Sequence, residues 1–192
     1  FDAEKVKGLY YDPEKARNLL REAGFSPRNP PPPVKLLTIP VYADLAGFIA
    51  RQLEEIGLSV VVDVVPKSLL LEQTAQSKAP FFRASWIADY PDAENFLSVF
   101  YGKNPAPPNY TRFHNQDYDA LYDKAMRSTD DQERQELYRQ MDQLILEEAP
   151  IVPLWYDEVI HLVSNEVEGF KPNALNLLEL RRVRKIAEVK RR

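Results

Sequence analysis

The sequence predicts an α/β fold with a parallel β-α-β-α-β core and flanking helices, and three observations predict it. Apolar residues switch between strand-like runs and helical spacing from Val34 to Ala88. The run Leu58 to Val65 (LSVVVDVV) is β-branched and nearly continuous in apolar character, as in a strand covered on both faces. Strand, helix and strand follow one another within about thirty residues, the length of a βαβ crossover, which implies parallel pairing.

Taken in order, the first element is a helix from Pro13 to Ala23. Asp12 is its N-cap, Pro13 sits in its first turn, and Ala16, Leu19, Leu20 and Ala23 share one face. Gly24 supplies the left-handed stop. Residues 26–33, with Pro27 and four consecutive prolines, read as an exposed polyproline-like connector. Val34 to Val41 is strand-like, and Leu45, Phe48, Ile49, Leu53 and Ile56 then recur at helical spacing up to Gly57. After the strand at 58–65, a helix at about Lys67 to Ser77 leads to an apolar strand, Phe81 to Ala88. Helices are expected around Ala93 to Tyr101, Asp117 to Arg127 and Asp131 to Ala149, the last opened by a capping pair of Asp130 and Glu133. Ile151 to Val163 reads as a long strand, and Val167 to Phe170 as a turn into the final segment.

Of 192 residues, 44% are hydrophobic, enough for one sizeable core, and one domain is expected over 1–192. The chain begins Phe1-Asp2-Ala3-Glu4 with neither methionine nor a signal-like apolar stretch, and is expected to be a fragment of a longer polypeptide. No apolar run approaches the roughly 18 residues that cross a bilayer. With no cysteine, disulfides and thiol chemistry are excluded. The net charge of −4 hides a basic tail at 181–192 with seven basic residues and one acid, which leaves 18 basic against 28 acidic residues elsewhere. An acidic body argues against a nucleic-acid surface, and the tail reads as a solvated terminal strand or frayed end.

The glycines are too dispersed for a dinucleotide or phosphate loop. His114 and His161 lack ligand-spaced neighbours, and no serine sits in a nucleophile elbow, so no cofactor, metal or catalytic residue is assigned. Asp89, Asp92 and Glu94 do not form a calcium loop, because Pro91 stiffens the middle and no glycine follows. Asp92 stands where an N-cap belongs, which leaves Asp89 unexplained. Alternation along Phe81 to Asp89 puts Arg83, Ser85, Ile87 and Asp89 on one face and Phe82, Ala84 and Trp86 on the other. Asp89 lies at the strand's carboxyl end, where open parallel sheets collect ligands. Trp86 and Tyr90 flank it, and aromatic neighbours suit a cationic ligand group. On the residues alone, an Asx-turn or capping role for Asp89 stays open.

Several segments appear in a telling order: Tyr11-Asp12-Pro13-Glu14-Lys15-Ala16, Gln52-Leu53-Glu54-Glu55-Ile56-Gly57, Trp86-Ile87-Ala88-Asp89-Tyr90-Pro91-Asp92 with Asn95-Phe96-Leu97, and Glu148-Ala149-Pro150-Ile151-Val152-Pro153-Leu154. Over nearly all of residues 10 to 170 this set resembles the C-terminal part of the dipeptide/oligopeptide-binding (family 5) extracytoplasmic solute-binding proteins that feed ABC importers. The resemblance implies one lobe of a two-lobed, periplasmic-binding-protein-like (type II) fold that is periplasmic, or extracellular and membrane-anchored, and is not an enzyme. It implies that Asp89 pairs with a peptide's α-amino group, that the backbone of Ser85 to Ile87 pairs with the ligand main chain, and that Trp86 walls a side-chain pocket. Arg83 matches an arginine near the ligand carboxylate in some members; six strand residues span about 20 Å, so a short peptide could bridge the two charges. The implied partners are a peptide or other small solute, the N-terminal lobe and an ABC permease, with the binding protein a monomer.

Two positions depart from the family pattern, Ala93 where many members have proline and Ser85 where glycine is frequent. Relatives of this fold carry peptides, metal chelates, sugars or haem, so a non-peptide solute stays open. So does a ligand-sensing domain of a transcriptional regulator, which would have a DNA-binding module upstream. A hydrolase using Asp89 as base lacks a nucleophile, metal cluster or cofactor loop.

Overall fold

The computed structural model describes residues 6–173 and 176–186. Its first helix, α1 (Pro13–Glu22), is capped as its sequence dictates: Asp12 Oδ1 accepts the Lys15 N–H at 2.8 Å, and Gly24 takes φ +87°. None of its residues is buried, and Leu19 is 54% exposed, so the apolar stripe of α1 is uncovered within the described residues. Residues 26–33 run largely exposed to the first strand.

The sheet is built from β1 (Val34–Thr38), β2 (Val60–Val64) and β3 (Phe81–Phe82), all parallel, in the order β2-β1-β3. Helix α2 (Ala43–Glu55) connects β1 to β2, and α3 (Lys67–Ala75) connects β2 to β3. Period-two alternation along β1 sends Leu36 toward Ala46, Ala50 and Val60 on one side, and Leu37 toward Val65, Leu70 and Ala79 on the other. The helices therefore cover opposite faces of a doubly wound sheet, which is why the adjacent residues Leu36 and Leu37, pointing to opposite faces of β1, are both buried.

A second core is helical. Helix α4 (Glu94–Leu97) runs into a 3-10 turn (Ser98–Phe100) and is followed by α5 (Gln116–Arg127) and α6 (Asp131–Glu148). Leu97, Phe100, Tyr118, Tyr122, Ala125, Leu137, Tyr138, Met141 and Ile145 fill the space between them. Asn115 caps α5 through the Asp117 and Tyr118 amides, and Asp130 caps α6 through those of Gln132 and Glu133.

Several sequence expectations are corrected. The strand expected over Phe81 to Ala88 stops at Phe82. The last ladder bond is Arg83 N–H to Leu37 O at 2.9 Å, and β1 then turns away at Pro40, leaving no carbonyls to pair with. The helix expected around Ala93 to Tyr101 is α-helical only to Leu97 and tightens into the 3-10 turn to Phe100, closed by the Tyr101 N–H on Ser98 O at 3.3 Å. Glu133 does not complete a capping box; its carboxylate meets the Ser128 hydroxyl and Lys124 Nζ, and the Asp130 N–H goes to Ser128 Oγ. Ile151 to Val163 is not a strand: among the described residues no neighbouring strand pairs with it, and Val152, Tyr156, Ile160 and Leu162 are exposed.

Val167–Glu168 is itself a short strand, β4, paired antiparallel with β5 (Arg184–Lys185). Part of the basic tail is thereby absorbed, since Arg184 pairs with Glu168 and Lys185 with Glu166. Residues 187–192 of that tail lie outside the described residues.

Candidate functional site

The carboxyl ends of β1 and β3 are neighbours, and from β1 the chain proceeds to α2 on one face while β3 is entered from α3 on the other. Such a switch in direction opens a crevice beyond the strand ends. Two side chains meet there. Tyr42, in the 3-10 turn (Pro40–Tyr42) after β1, lies under the Arg83 guanidinium, with Cζ 3.5 Å from the ring centroid. Trp155 stands to one side of this stack, with Arg83 Cζ 6.0 Å from its ring and the two aromatic centroids 6.4 Å apart. Arg83 makes no ion pair among the described residues. Its polar contact is a long one to Ser85 Oγ at 3.4 Å. A guanidinium held by aromatic faces and without a counter-ion keeps its capacity to bind an anion.

Beyond Arg83 the main chain of residues 84–88 makes no backbone hydrogen bond among the described residues. Ser85 and Ile87 are exposed, Ile87 to 81%. The two-face alternation expected of a strand lapses here, because no sheet neighbour imposes it. Trp86 is half-buried, and its indole Nε1 donates to Asn95 Oδ1 at 2.8 Å. The same oxygen accepts the Asp89 N–H at 3.3 Å. The Asp89 carboxylate is exposed and has no hydrogen bond or ion pair among the described residues. An Asx-turn or capping role for that side chain is thereby removed.

The acids that follow are occupied. Asp92 Oδ1 accepts the Glu94 N–H at 2.9 Å, and its Oδ2 accepts from Arg134 Nη2 at 2.6 Å. Burial works against the charge on Asp92, but the Glu94 amide and the Arg134 guanidinium outweigh it and hold the carboxyl below its ordinary range. Glu94 is 8% exposed and receives the hydroxyls of both Tyr90 and Tyr122. The bond to Glu94 is the first cause raising the Tyr90 phenol; burial is the first for Tyr122.

Of the sequence-predicted residues, Arg83, Ser85, Trp86, Ile87, Asp89 and Tyr90 follow one another from the carboxyl end of β3. Sequence reading missed Tyr42 and Trp155, which lie 41 and 72 positions from Arg83 in the chain. No local pattern links them. It also passed over Glu94 and Asn95 as ordinary helix-start residues. Two polar side chains just ahead of the apolar pair Phe96-Leu97 were the available signal, since buried polar groups must find partners.

The fold defines the class: a mixed α/β unit of the periplasmic-binding-protein-like type II fold, whose members are two-lobed. The chain belongs to the bacterial extracellular solute-binding proteins, family 5, whose middle-region model matches residues 1–108. It is 30% identical over 175 residues to di/tripeptide-binding protein 4 of Pseudomonas aeruginosa, covering 86% of this chain and 32% of that protein. The periplasmic binding protein DppA of Helicobacter pylori, solved with the peptide STSA, is 28% identical, covers 78% of this chain and 30% of its own, and superposes with a TM-score of 0.71. OppA of Burkholderia pseudomallei superposes at 0.81 over 95% of this chain and 38% of its own, at 24% identity. The chain spans about a third of the length of the curated relatives it matches.

Proposed function

We propose that this chain is the substrate-binding lobe of an extracytoplasmic solute-binding protein that captures peptides for an ABC importer. Asp89 pairs with the ligand's amino terminus, and the free backbone of Ser85 to Ile87 adds the peptide as a strand, a mode that reads main chain and tolerates many side chains. Trp86 walls a side-chain pocket, Tyr90 borders the acid, and Arg83 meets a ligand carboxylate. The second lobe closes over the ligand by hinge motion, and the protein delivers it to a permease without covalent chemistry.

The observation that carries this reading is that, among the described residues, an unpartnered carboxylate follows an unpaired stretch of main chain at the carboxyl end of a parallel sheet. Every other acid of the 89–94 region already has a partner. Relatives described as di/tripeptide-binding proteins, and a solved relative carrying a peptide, support peptides as the solute.

Titration calorimetry of the complete protein with a tripeptide and its N-acetylated form tests it. The free peptide binds and the acetylated one loses most of its affinity, while Asp89→Ala weakens the free peptide by roughly 2–5 kcal/mol, as for a charge pair that loses one partner. Equal affinities for the two peptides would remove Asp89 from this role.

A further inference from the structure

We propose that Asn95 is a positioning residue for the ligand's amino terminus, acting through Asp89; this rests on the role proposed above for Asp89. The Asp89 side chain makes no hydrogen bond or ion pair among the described residues, so its carboxylate stands where its own backbone puts it. That backbone has a single anchor of its own, the bond from its N–H to Asn95 Oδ1 at 3.3 Å. The same oxygen holds the Trp86 indole Nε1–H at 2.8 Å. A carboxamide oxygen has two lone pairs, and here one is given to the pocket wall and the other to the residue that carries the acid.

Asn95 can serve as a fixed point because it is fixed itself. It is 4% exposed, and the next two residues lead into the helical core, where the Tyr118 hydroxyl binds Leu97 O at 2.7 Å. Glu94 repeats the arrangement one residue earlier by taking the Tyr90 hydroxyl. Between Trp86 and Tyr90 the main chain makes no other hydrogen bond among the described residues until the Asp92 N–H meets Tyr90 O. Two consecutive buried polar residues thus hold a segment that has left its sheet, and they hold it at Trp86, Asp89 and Tyr90. Ordering this segment before the ligand arrives reduces the entropy lost on binding, and this is how a buried residue that touches no ligand can govern affinity.

The experiment uses the complete protein with 15N-labelled tryptophan, and trialanine and N-acetyl-trialanine as probes. The Trp86 indole signal is identified by its loss in Trp86→Phe. Asn95→Leu, close in volume but without the acceptor, is expected to shift that signal and speed its hydrogen exchange. It should also weaken trialanine roughly tenfold or more, weaken N-acetyl-trialanine clearly less so that the preference for the free peptide shrinks, and add less than its full effect in combination with Asp89→Ala. Asn95→Asp keeps an acceptor oxygen at the same reach; it should retain the indole signal and the preference for the free peptide.

The proposal is overturned if Asn95→Leu keeps the wild-type preference, if its loss adds in full to that of Asp89→Ala, or if Asn95→Asp loses the preference with the indole signal intact. Should Asn95→Leu fail to fold, Asn95→Asp decides alone on that last criterion. Equal affinities for the two probes in the wild-type protein would instead strike the Asp89 reading, a result distinct from any of these.

Discussion

Arg134 Nη2 donates to Asp92 Oδ2 at 2.6 Å, joining the end of the segment that leaves the sheet to helix α6, 42 residues further along the chain. Asp92 also receives the Glu94 amide, so one carboxylate both starts α4 and docks it on the helical core. Arg134 gains from the same contact: the Asp92 bond raises its affinity for its proton despite partial burial.

Asp92→Asn is therefore expected to lower stability by about 1–2 kcal/mol at pH 7, a modest value because both partners are about one-third exposed. The folded-state pKa of Asp92 lies below its ordinary value of 3.8, so the contribution is fully present above that value and is lost as pH falls through the folded one. Urea unfolding at pH 7 and at about pH 3 checks the sign: the penalty of the substitution should shrink at the lower pH.

The three core tyrosines act at the other end of the scale. Burial pushes Tyr138 up to about 12, with the Asp92 charge adding to it, and burial likewise raises Tyr118 and Tyr122. A phenol that holds its proton more tightly when folded contributes stability in full below its unfolded value near 10 and loses it as pH rises beyond. Alkaline unfolding should set in above that pH, and Tyr138→Phe should reduce the loss between neutral pH and pH 11 by about 1–2 kcal/mol. Tyrosinate absorbance recorded together with circular dichroism would follow both events.

Gly102→Ala is expected to destabilise by about 1–3 kcal/mol. A Cβ at this position would stand 2.5 Å from His114 Nδ1 and 2.7 Å from Asp119 Oδ2. His114 is exposed and can swing away, but Asp119 is buried and accepts the Gly102 N–H at 2.7 Å, so the methyl group displaces the partner of that bond. Thermal unfolding of the variant beside His114→Ala separates the two contacts, since the histidine change alone should cost little.

Asp142, on the inner side of α6, is raised by burial alone and has no hydrogen-bond partner among the described residues. Its charged form opposes folding, and native stability rises as pH falls through its folded-state value. Asp142→Asn should stabilise the protein by up to about 1 kcal/mol at neutral pH and by nothing under acid conditions where the carboxyl is already neutral.

Local pattern reached far in this chain. Asp12 and Gly24 bound α1 because a cap needs only its own helix, and the β-branched run 58–65 does mark a strand, but β2 lies at the sheet edge with Val61 and Val64 exposed, so the expected cover on both faces is not met. The same logic fails wherever an element needs a partner from elsewhere. Phe81 to Ala88 and Ile151 to Val163 carry strand-like residues, yet the first keeps its ladder for two residues and the second has none, since a strand exists only where a neighbour supplies hydrogen bonds.

What the sequence by itself determined is the run of the parallel core and the place of Asp89 just after it, because periodicity, caps and turn residues act over a few positions. Tertiary structure alone decided that the Asp89 carboxylate stays unpartnered among the described residues while Asp92 and Glu94 are taken, that Tyr42 and Trp155 flank Arg83, and that Asn95 holds two points of the segment at once. Those outcomes are contests for hydrogen bonds and ring faces among residues up to 72 positions apart, and only packing in three dimensions settles them.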